Sequence, residues 1–533
     1  MNRLCSVLAL IFGLLILGSS PAYGDNPDVI TASKHDTSPP LSQLAQAGST
    51  ISGGSNKQSR TARPARAPFN SSQSDAVAST FAGPLTNVSP GVNFEGQSAT
   101  DTLNLLGVAF VPPDTNGAVG AKQFVQMVNV TISVYSKSGS LQLGPALIHT
   151  LWTGFGGLCE FGGGPPDFTD GGDPVVLYDH LANRWLVSQL QFDSTFTHNA
   201  ECVAVSTSSD ATGSYNRYEF DFSPLFPDYP KFAVWPDAYY NSVNIFSGNK
   251  FLGADACALD RNAMLDGNIA TMICFPQAAS VSSLLPSDLD GSTLPPSGAP
   301  NFFVGLADST DLNLFEFHVD FANPHNSTFT GTLVPVAAFN EICARAITVA
   351  CVPEPPPGEK LDGLSDRVMF RLAYRNFGDH EALVVNHTVA GGPLAAVRWY
   401  EIRSPGAGPF IYQQETLYDP NINFWLGSIA MDKNGDIALG FSASSRSLFP
   451  SIYESGRAAT DPLGSMSGPL IITNGTGSQF NSFDRWGDYS SMSIDPTDDC
   501  TFWYTNEYYQ TTSSFNWHTR VGSFRFSSCK RGP

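Results

Sequence analysis

The sequence predicts an all-β fold, a β-propeller, and three observations predict it. From about residue 105 onward, short runs rich in Val, Phe, Tyr and Trp alternate with Gly/Asp/Asn/Pro turns, and no long stretch sustains a helical period. Charged residues make up only 14% of a chain that holds 48 Gly and 38 Pro, the profile of a loop-rich β protein. A weak repeat also runs through this region. An apolar strand leads into an Asp-containing turn and a second apolar strand leaves it: FVPPDTNGAVG at Asp114, VVLYDHLANRWLVSQ at Asp179, FAVWPDAYYNSVNIF at Asp237, SIAMDKNGDIALGFS at Asp432 and MSIDPTDDCTFWYTNEYY at Asp495.

The gaps between these aspartates are 65, 58, 195 and 63 residues. The wide gap has room for two further units, for which Pro300–Val319 and Arg367–His387 supply strands. Seven units of about 60 residues fill the region, and four strands in each give propeller blades that bury their faces on their neighbours. Six blades with long insertions is the alternative count. Tandem β-sandwiches are the alternative architecture, because Asp/Gly turns serve any antiparallel sheet.

The chain divides into residues 1–24, 25–100 and 101–533. The first, MNRLCSVLALIFGLLILGSSPAYG, has an Arg, an apolar run and small residues before Gly24, as a secretory signal peptide does; the run is short for a membrane span. Residues 25–100 are rich in Ser, Thr, Ala, Gln and Pro and read as a disordered leader or, with Arg60, Arg63 and Arg66 as a processing site, a pro-segment. The remainder is the propeller domain. Cys5 leaves with the signal. The other eight, Cys159, Cys202, Cys257, Cys274, Cys343, Cys351, Cys500 and Cys529, are an even set for disulfides in an exported protein, and neighbour-to-neighbour pairing is the simplest arrangement. The absence of any CxxC argues against zinc. A net charge of −20 argues against nucleic acid and anionic membrane as partners. It suits calcium, or neutral and cationic ligands.

In a propeller, residues just ahead of each innermost strand gather at one mouth of the central channel. If the Asp turns join first and second strands, the mouth residues lie six to nine positions earlier. That places Asp173 of GGDPVVLYD there, with Asp228, Tyr229 and Lys231 of PDYPKFAVWPD, Asp366 and Arg367 of LDGLSDRVMF, and Trp425 of NFWLGSIAMD. DRWGDYSSMSID adds Asp484, Arg485, Trp486, Asp488 and Tyr489. Converging carboxylates serve as the acid and base of a glycosidase, as ligands of a hard cation, or as turn caps. Crowding raises their pKa values and makes an acid available near neutral pH. SDLDGS (Ser287–Ser292) resembles part of a calcium loop without its later Glu. NFGDHEALVVNH sets His380 beside Glu381, but strand alternation points them to opposite faces, so a surface-loop role is expected. No GxSxG or HExxH is present.

The Asp turn followed by an aromatic strand resembles the Asp-box of sialidase-like propellers, S-x-D-x-G-x-T-W. DPTDDCTFW (Asp495–Trp503) keeps the Asp, Thr and Trp, and MDKNGDIALG keeps Asp432 and Gly435. PPDTNGAVG, RLAYRNFGDHE, RWGDYSSMSIDP and DCTFWYTNEYY are similar to segments of exported bacterial propeller-like proteins without an assigned activity. The resemblance implies fold and export, and little about chemistry.

Together these readings predict an exported propeller that acts on or binds carbohydrate, such as a cell-surface polysaccharide, at its channel mouth. As an enzyme it would be a glycoside hydrolase, ahead of a lyase, using two of Asp173, Asp228, Asp366 and Asp488. Tyr229, Trp425, Trp486 and Tyr489 would stack on sugar rings, and Lys231, Arg367, Asp484 and Arg485 would bind polar groups. The alternative is a non-catalytic, lectin-like or protein-binding propeller with structural calcium.

Overall fold

The computed structural model describes residues 26–46, 57–58, 67–161, 170–343, 350–480 and 485–530. The predicted signal peptide and Asp484 lie outside the described residues.

Alternation of side chains across each strand explains the architecture. In the strand Val175–Asp179, Val175 and Leu177 pack on one side against Phe232 and Val243, while Val176 and Tyr178 pack on the other against Val125 and Met127. A strand that is apolar on both faces must be covered on both, and a radial array of sheets does this without a central core. The chain accordingly forms a β-propeller. Among the described residues, seven four-stranded antiparallel units can be traced in order, with first strands Asn116–Val119, Val175–Asp179, Phe226–Val234, Leu285–Leu289, Met369–Asn376, Asn423–Met431 and Ser491–Ile494. Consecutive first strands lie side by side, and the seventh lies against the first, so the ring is closed.

Side chains stitch this inner ring together. Asn116 Oδ1 accepts from Val176 N–H (2.9 Å), Asp288 Oδ1 from Val234 N–H (2.9 Å), and Ser428 Oγ from Met492 N–H (3.0 Å), while Ser491 Oγ donates to the Gly117 carbonyl (2.7 Å). Between the fourth and fifth units the first strands come close enough to pair in parallel, Ser287–Leu289 with Leu372–Tyr374. Apolar clusters fill the gaps between units. Phe124 stacks on Trp503 (centroids 5.4 Å apart) where the seventh unit meets the first.

The turns behave largely as expected. Asp237, Asp432 and Asp495 lie between first and second strands, and Asp179 ends its first strand at the same turn. Asp179 Oδ1 accepts from Leu181 and Ala182 N–H (both 3.0 Å), and Asp432 Oδ1 from Asn434 N–H (2.8 Å). Asp114 departs from this pattern: it precedes its first strand, as Asp173 does. In Pro300–Val319 the strands are the second and third of their unit, whose first strand is Leu285–Leu289.

The expectation of an unstructured leader is corrected for the described residues of that stretch. Asp28–Thr31 adds a strand to the outer edge of the third unit and Lys34–Thr37 to that of the second. Ala78–Ser79 pairs with Leu417 and Thr416 of the fifth. Val88–Ser98 is the fourth strand of the seventh unit, paired with Trp517–Phe526. A polar segment needs no core of its own when it completes the backbone hydrogen bonds of an existing edge.

The eight cysteines pair neighbour to neighbour, Cys159–Cys202, Cys257–Cys274, Cys343–Cys351 and Cys500–Cys529, which fits an oxidising compartment. Among the described residues no helix is long and apolar enough to cross a membrane.

The two N-terminal contributions differ in weight. A chain starting at Ala99 loses the strand that completes the seventh unit and leaves Trp517–Phe526 as an open edge. Its melting temperature is expected to fall by more than about 10 °C, with aggregation on size-exclusion chromatography. Removing residues 26–46 alone leaves every four-stranded unit complete and strips two fifth strands, the buried Leu41 of the short helix Leu41–Gln46 and the Asp36 partner of the buried Arg217, and is expected to lower the melting temperature by less than the loss of Val88–Ser98 does.

Candidate functional site at the leading end of the channel

The first strands begin at a common mouth, and the backbone there is shaped the same way in several units. Asp114 and Asp173, each two residues ahead of a first strand, have positive φ (47° and 50°). In the third and sixth units Tyr229 (φ 58°) and Leu426 (φ 51°) take this role inside a bulge, at Asp228/Lys231 and Trp425/Ser428. Aspartate tolerates the left-handed region better than most residues, and a bulge re-aims the side chains beside it. This local geometry turns carboxylates toward the axis.

The result is one buried network. Asp114 Oδ1 accepts from Asp488 N–H (2.8 Å), and its Oδ2 accepts from Asn129 Nδ2 (2.5 Å). Asn129 Oδ1 in turn accepts from Asp173 N–H (3.0 Å), and Asp173 Oδ2 from Tyr229 N–H (3.2 Å). Asp488 is ion-paired with Arg485, and Gly487 N–H donates to Glu507. Lys231 is fully buried between two aromatic rings, its Nζ 3.6 Å from the Tyr229 centroid and 3.9 Å from that of Tyr489, and donates to the Pro230 carbonyl (2.7 Å). Arg367 lies with its Cζ 4.5 Å from the Tyr229 ring centroid and pairs with Asp366 (2.9 and 3.2 Å).

Burial and mutual repulsion control the protons. Burial, then the charges of Asp488 and Asp173, hold Asp114 well above the usual carboxylate range. Burial, then Asp173 and Asp488, do the same to Asp228. Asp173 is also raised by burial, with Lys231 opposing and Asp488 adding to the effect. Burial pushes Lys231 down to about 8, against the pull of Asp173, Asp114 and Asp488. The cluster therefore holds protons on some of its acids near neutral pH, which a solvated set would not.

Of the residues expected at this mouth, Asp173, Asp228, Tyr229, Lys231, Asp366, Arg367, Arg485, Asp488 and Tyr489 share this network or its immediate surroundings. The aromatic expectations need correction. Trp425 and Trp486 are 0% and 1% exposed and pack on each other (6.0 Å), with Tyr509 behind Trp486 (5.6 Å). Trp486 Nε1 donates to Ser442 Oγ (3.1 Å). They are interior walls in this structure, because the bulge at Trp425 turns the ring between units. Tyr229 and Tyr489 are also buried, their faces occupied by Lys231. His380 sits in a turn, 2.8 Å from the exposed Asp379, as its loop reading anticipates.

Three acids of the cluster were not anticipated. Asp114 resembles a turn residue in VPPDTNG, although its position two residues ahead of an apolar strand matches that of Asp173. Glu507 and Glu201 lie inside second and third strands, Thr501–Tyr509 and Asn199–Ser206, where no local pattern marks an inward carboxyl. Burial pushes each to about 8.

Among the described residues, the group of acid and thiol ligand atoms close enough to share a metal ion is Asp432 with Cys500 and Cys529, and those cysteines are bonded to each other.

No protein-family description matches the chain, and no curated protein does. Among solved structures, the chain is similar to an α-L-arabinofuranosidase from Lactobacillus brevis (9% identity, TM-score 0.27, 66% of this chain and 89% of that one). It is also similar to a GH43 endo-arabinanase from Bacillus licheniformis (10%, 0.26, 56% and 96%) and an exo-β-1,3-galactanase from Phanerochaete chrysosporium (8%, 0.28, 83% and 98%). At these scores the likeness bears on neither substrate nor chemistry, and the architecture rests on the strand order given above.

The proton balance at Glu201 has a measurable consequence. Its folded pKa, about 8, exceeds the usual 4.5, so the folded chain holds the extra proton between these values and loses stability as pH rises through them. Glu201→Gln removes that dependence. The melting temperature of the variant relative to wild type is expected to rise by at least about 2 °C between pH 5 and pH 9, read by circular dichroism.

Proposed function

We propose that the chain is an exported β-propeller that acts on glycans, with its chemistry at the leading end of the channel. The observation that carries this reading is the convergence of Asp114, Asp173, Asp228 and Asp488 from four different units into one electrostatically coupled set. Glycoside hydrolysis needs two carboxyl groups whose environments differ, one retaining a proton for the leaving oxygen and the other serving as base or nucleophile. Asp228, raised by burial and by its acidic neighbours, is suited to be the acid. Asp488, paired with Arg485, is suited to be the charged partner. Asp173 and Asp228 keep 9% and 7% exposure, the most of the four, and would meet an incoming sugar first. Asp114 and Asp173 would position the pair through the Asp488 and Tyr229 N–H groups.

A non-catalytic, glycan-binding propeller is the second reading. The enclosure of Lys231 between two tyrosines favours it, since an interior cation among buried acids also holds a channel shut.

A panel of neutral and acidic polysaccharides, assayed for release of reducing ends, separates the two. Wild type is expected to release oligosaccharides, and Asp228→Asn and Asp488→Asn are each expected to lose about 100-fold or more in kcat while keeping their circular dichroism spectrum. Retained glycan-array binding without release by wild type would leave the binding reading alone. Neither binding nor release would remove both.

A further inference from the structure

The outer rim of the ring is made of strand edges. An edge presents unpaired N–H and C=O groups that invite another chain to pair, and folded proteins blunt it with charges, prolines, bulges or a covering segment. Among the described residues, every unit but the fourth follows this rule. The second and third end in Lys34–Thr37 and Asp28–Thr31, which carry Lys34, Asp36 and Asp28. Ala78–Ser79 covers part of the fifth. The outermost strands of the first, sixth and seventh contain Pro145, Pro469 and Pro90, and each has an irregular register with its neighbour.

The fourth unit ends differently. Its outermost strand, Thr328–Pro335, reads TFTGTLVP, with no charged side chain and no bulge against Asp311–His318. Thr330, Gly331, Thr332 and Leu333 are exposed, Leu333 at 57%. Val336 N–H donates to the Thr310 carbonyl (2.7 Å), and the unbroken register from there fixes which groups face out. Antiparallel partners alternate between bonded and unbonded pairs, so Phe329, Gly331 and Leu333 turn their N–H and C=O groups away from the sheet. Pro335 has no outward N–H to offer and ends the free margin. Gly331 does not interrupt the strand. The Phe315 ring, stacked on Phe329 (4.7 Å), lies where a Gly331 side chain would stand.

We propose that this margin pairs antiparallel with the same strand of a second copy of the chain, about a two-fold axis at Gly331. The strand is complementary to itself in that register. Gly331 meets Gly331, Phe329 meets the second copy's Leu333, and Thr330 meets its Thr332, which gives apolar pairs on one face and threonine pairs on the other. The exposed Leu333 is covered in the process. Charge also selects this occupant. Copies that carry −20 each repel one another, and an uncharged strand is where two can touch without setting like charges face to face. The described strands of the chain's own leader are already placed on the second, third, fifth and seventh units.

Sedimentation velocity of the chain freed of residues 1–24, from about 1 to about 100 μM, tests this. A monomer–dimer equilibrium is expected, and raising sodium chloride from about 50 to about 500 mM is expected to tighten it by screening the like net charges. Leu333→Pro removes an outward N–H and no bond within the sheet, and is expected to weaken dimerisation at least about tenfold. Thr330→Lys with Thr332→Lys sets like charges opposite one another across the axis, as does Thr330→Glu with Thr332→Glu. Each double variant is expected to be monomeric, and their equimolar mixture to recover the dimer. The mixture decides the matter if Leu333→Pro does not fold. A monomeric wild type, wild-type dimerisation in Leu333→Pro, no recovery on mixing, or a dimer that is lost when residues 26–46 are removed, as leader exchange requires, would overturn the proposal.

Discussion

The whole structure depends on the pairing of Val88–Ser98 with Trp517–Phe526, because that pairing builds the seventh unit from a strand that precedes the first unit and the strands that follow the sixth. The contact is reinforced across to the first unit. Gln97 Nε2 donates to the Gln126 carbonyl (2.9 Å), and Gln126 Nε2 donates to Thr505 Oγ1 (2.8 Å) and Thr519 Oγ1 (3.0 Å). One amide side chain thus touches the closing strand, the first unit and the seventh. A ring of first strands that have neighbours on both sides has no free edge, so each strand's position is set by the whole circle. Residues as distant in sequence as Asp114 and Asp488 meet only because the circle is complete.

Closure also produces the electrostatics. The leading ends of the strands converge in a space too small to admit much water, so carboxylates that would be solvated at a sheet edge repel one another there. Part of the repulsion is relieved by Lys231, Arg367 and Arg485, and part by protons that remain bound. At the trailing ends the same convergence leaves more room. The acids there are held apart by Arg371 and Arg375, and a cavity remains. One repeat therefore presents different chemistry at its two ends, an enclosed proton-holding cluster and an open acidic pocket.

Much of this was legible in the sequence and some was not. The turns at Asp179, Asp237, Asp432 and Asp495 were readable because a short polar residue between apolar runs has a local cause, the side-chain cap on the next backbone N–H groups. Those turns fixed the phase, and the phase located Asp173, Asp228 and Asp488. Asp114 was misplaced by the same logic, since VPPDTNG carries turn chemistry at the wrong end of its strand. Leu285–Leu289 was hidden because a short strand inside SLLPSDLDGS has no alternation to show. Trp425 and Trp486 look like sugar platforms in sequence, and only packing reveals that their faces are covered. The leader misled for a similar reason. Composition reports whether a segment can build a core, not whether it can complete someone else's edge. Glu201 and Glu507 are set in strands by contacts made after folding, which no local pattern records.

The claim on which the rest turns is that the leading end holds a dry, coupled cluster in which carboxylates and a lysine share protons. Titration of the Lys231 side chain by carbon-detected NMR, assigned with Lys231→Arg, tests it directly. A midpoint near 8 is the result expected of a buried ammonium held among these acids. A midpoint at the ordinary lysine value of 10.5 would mean that water reaches the cluster and that its acids are not coupled as described.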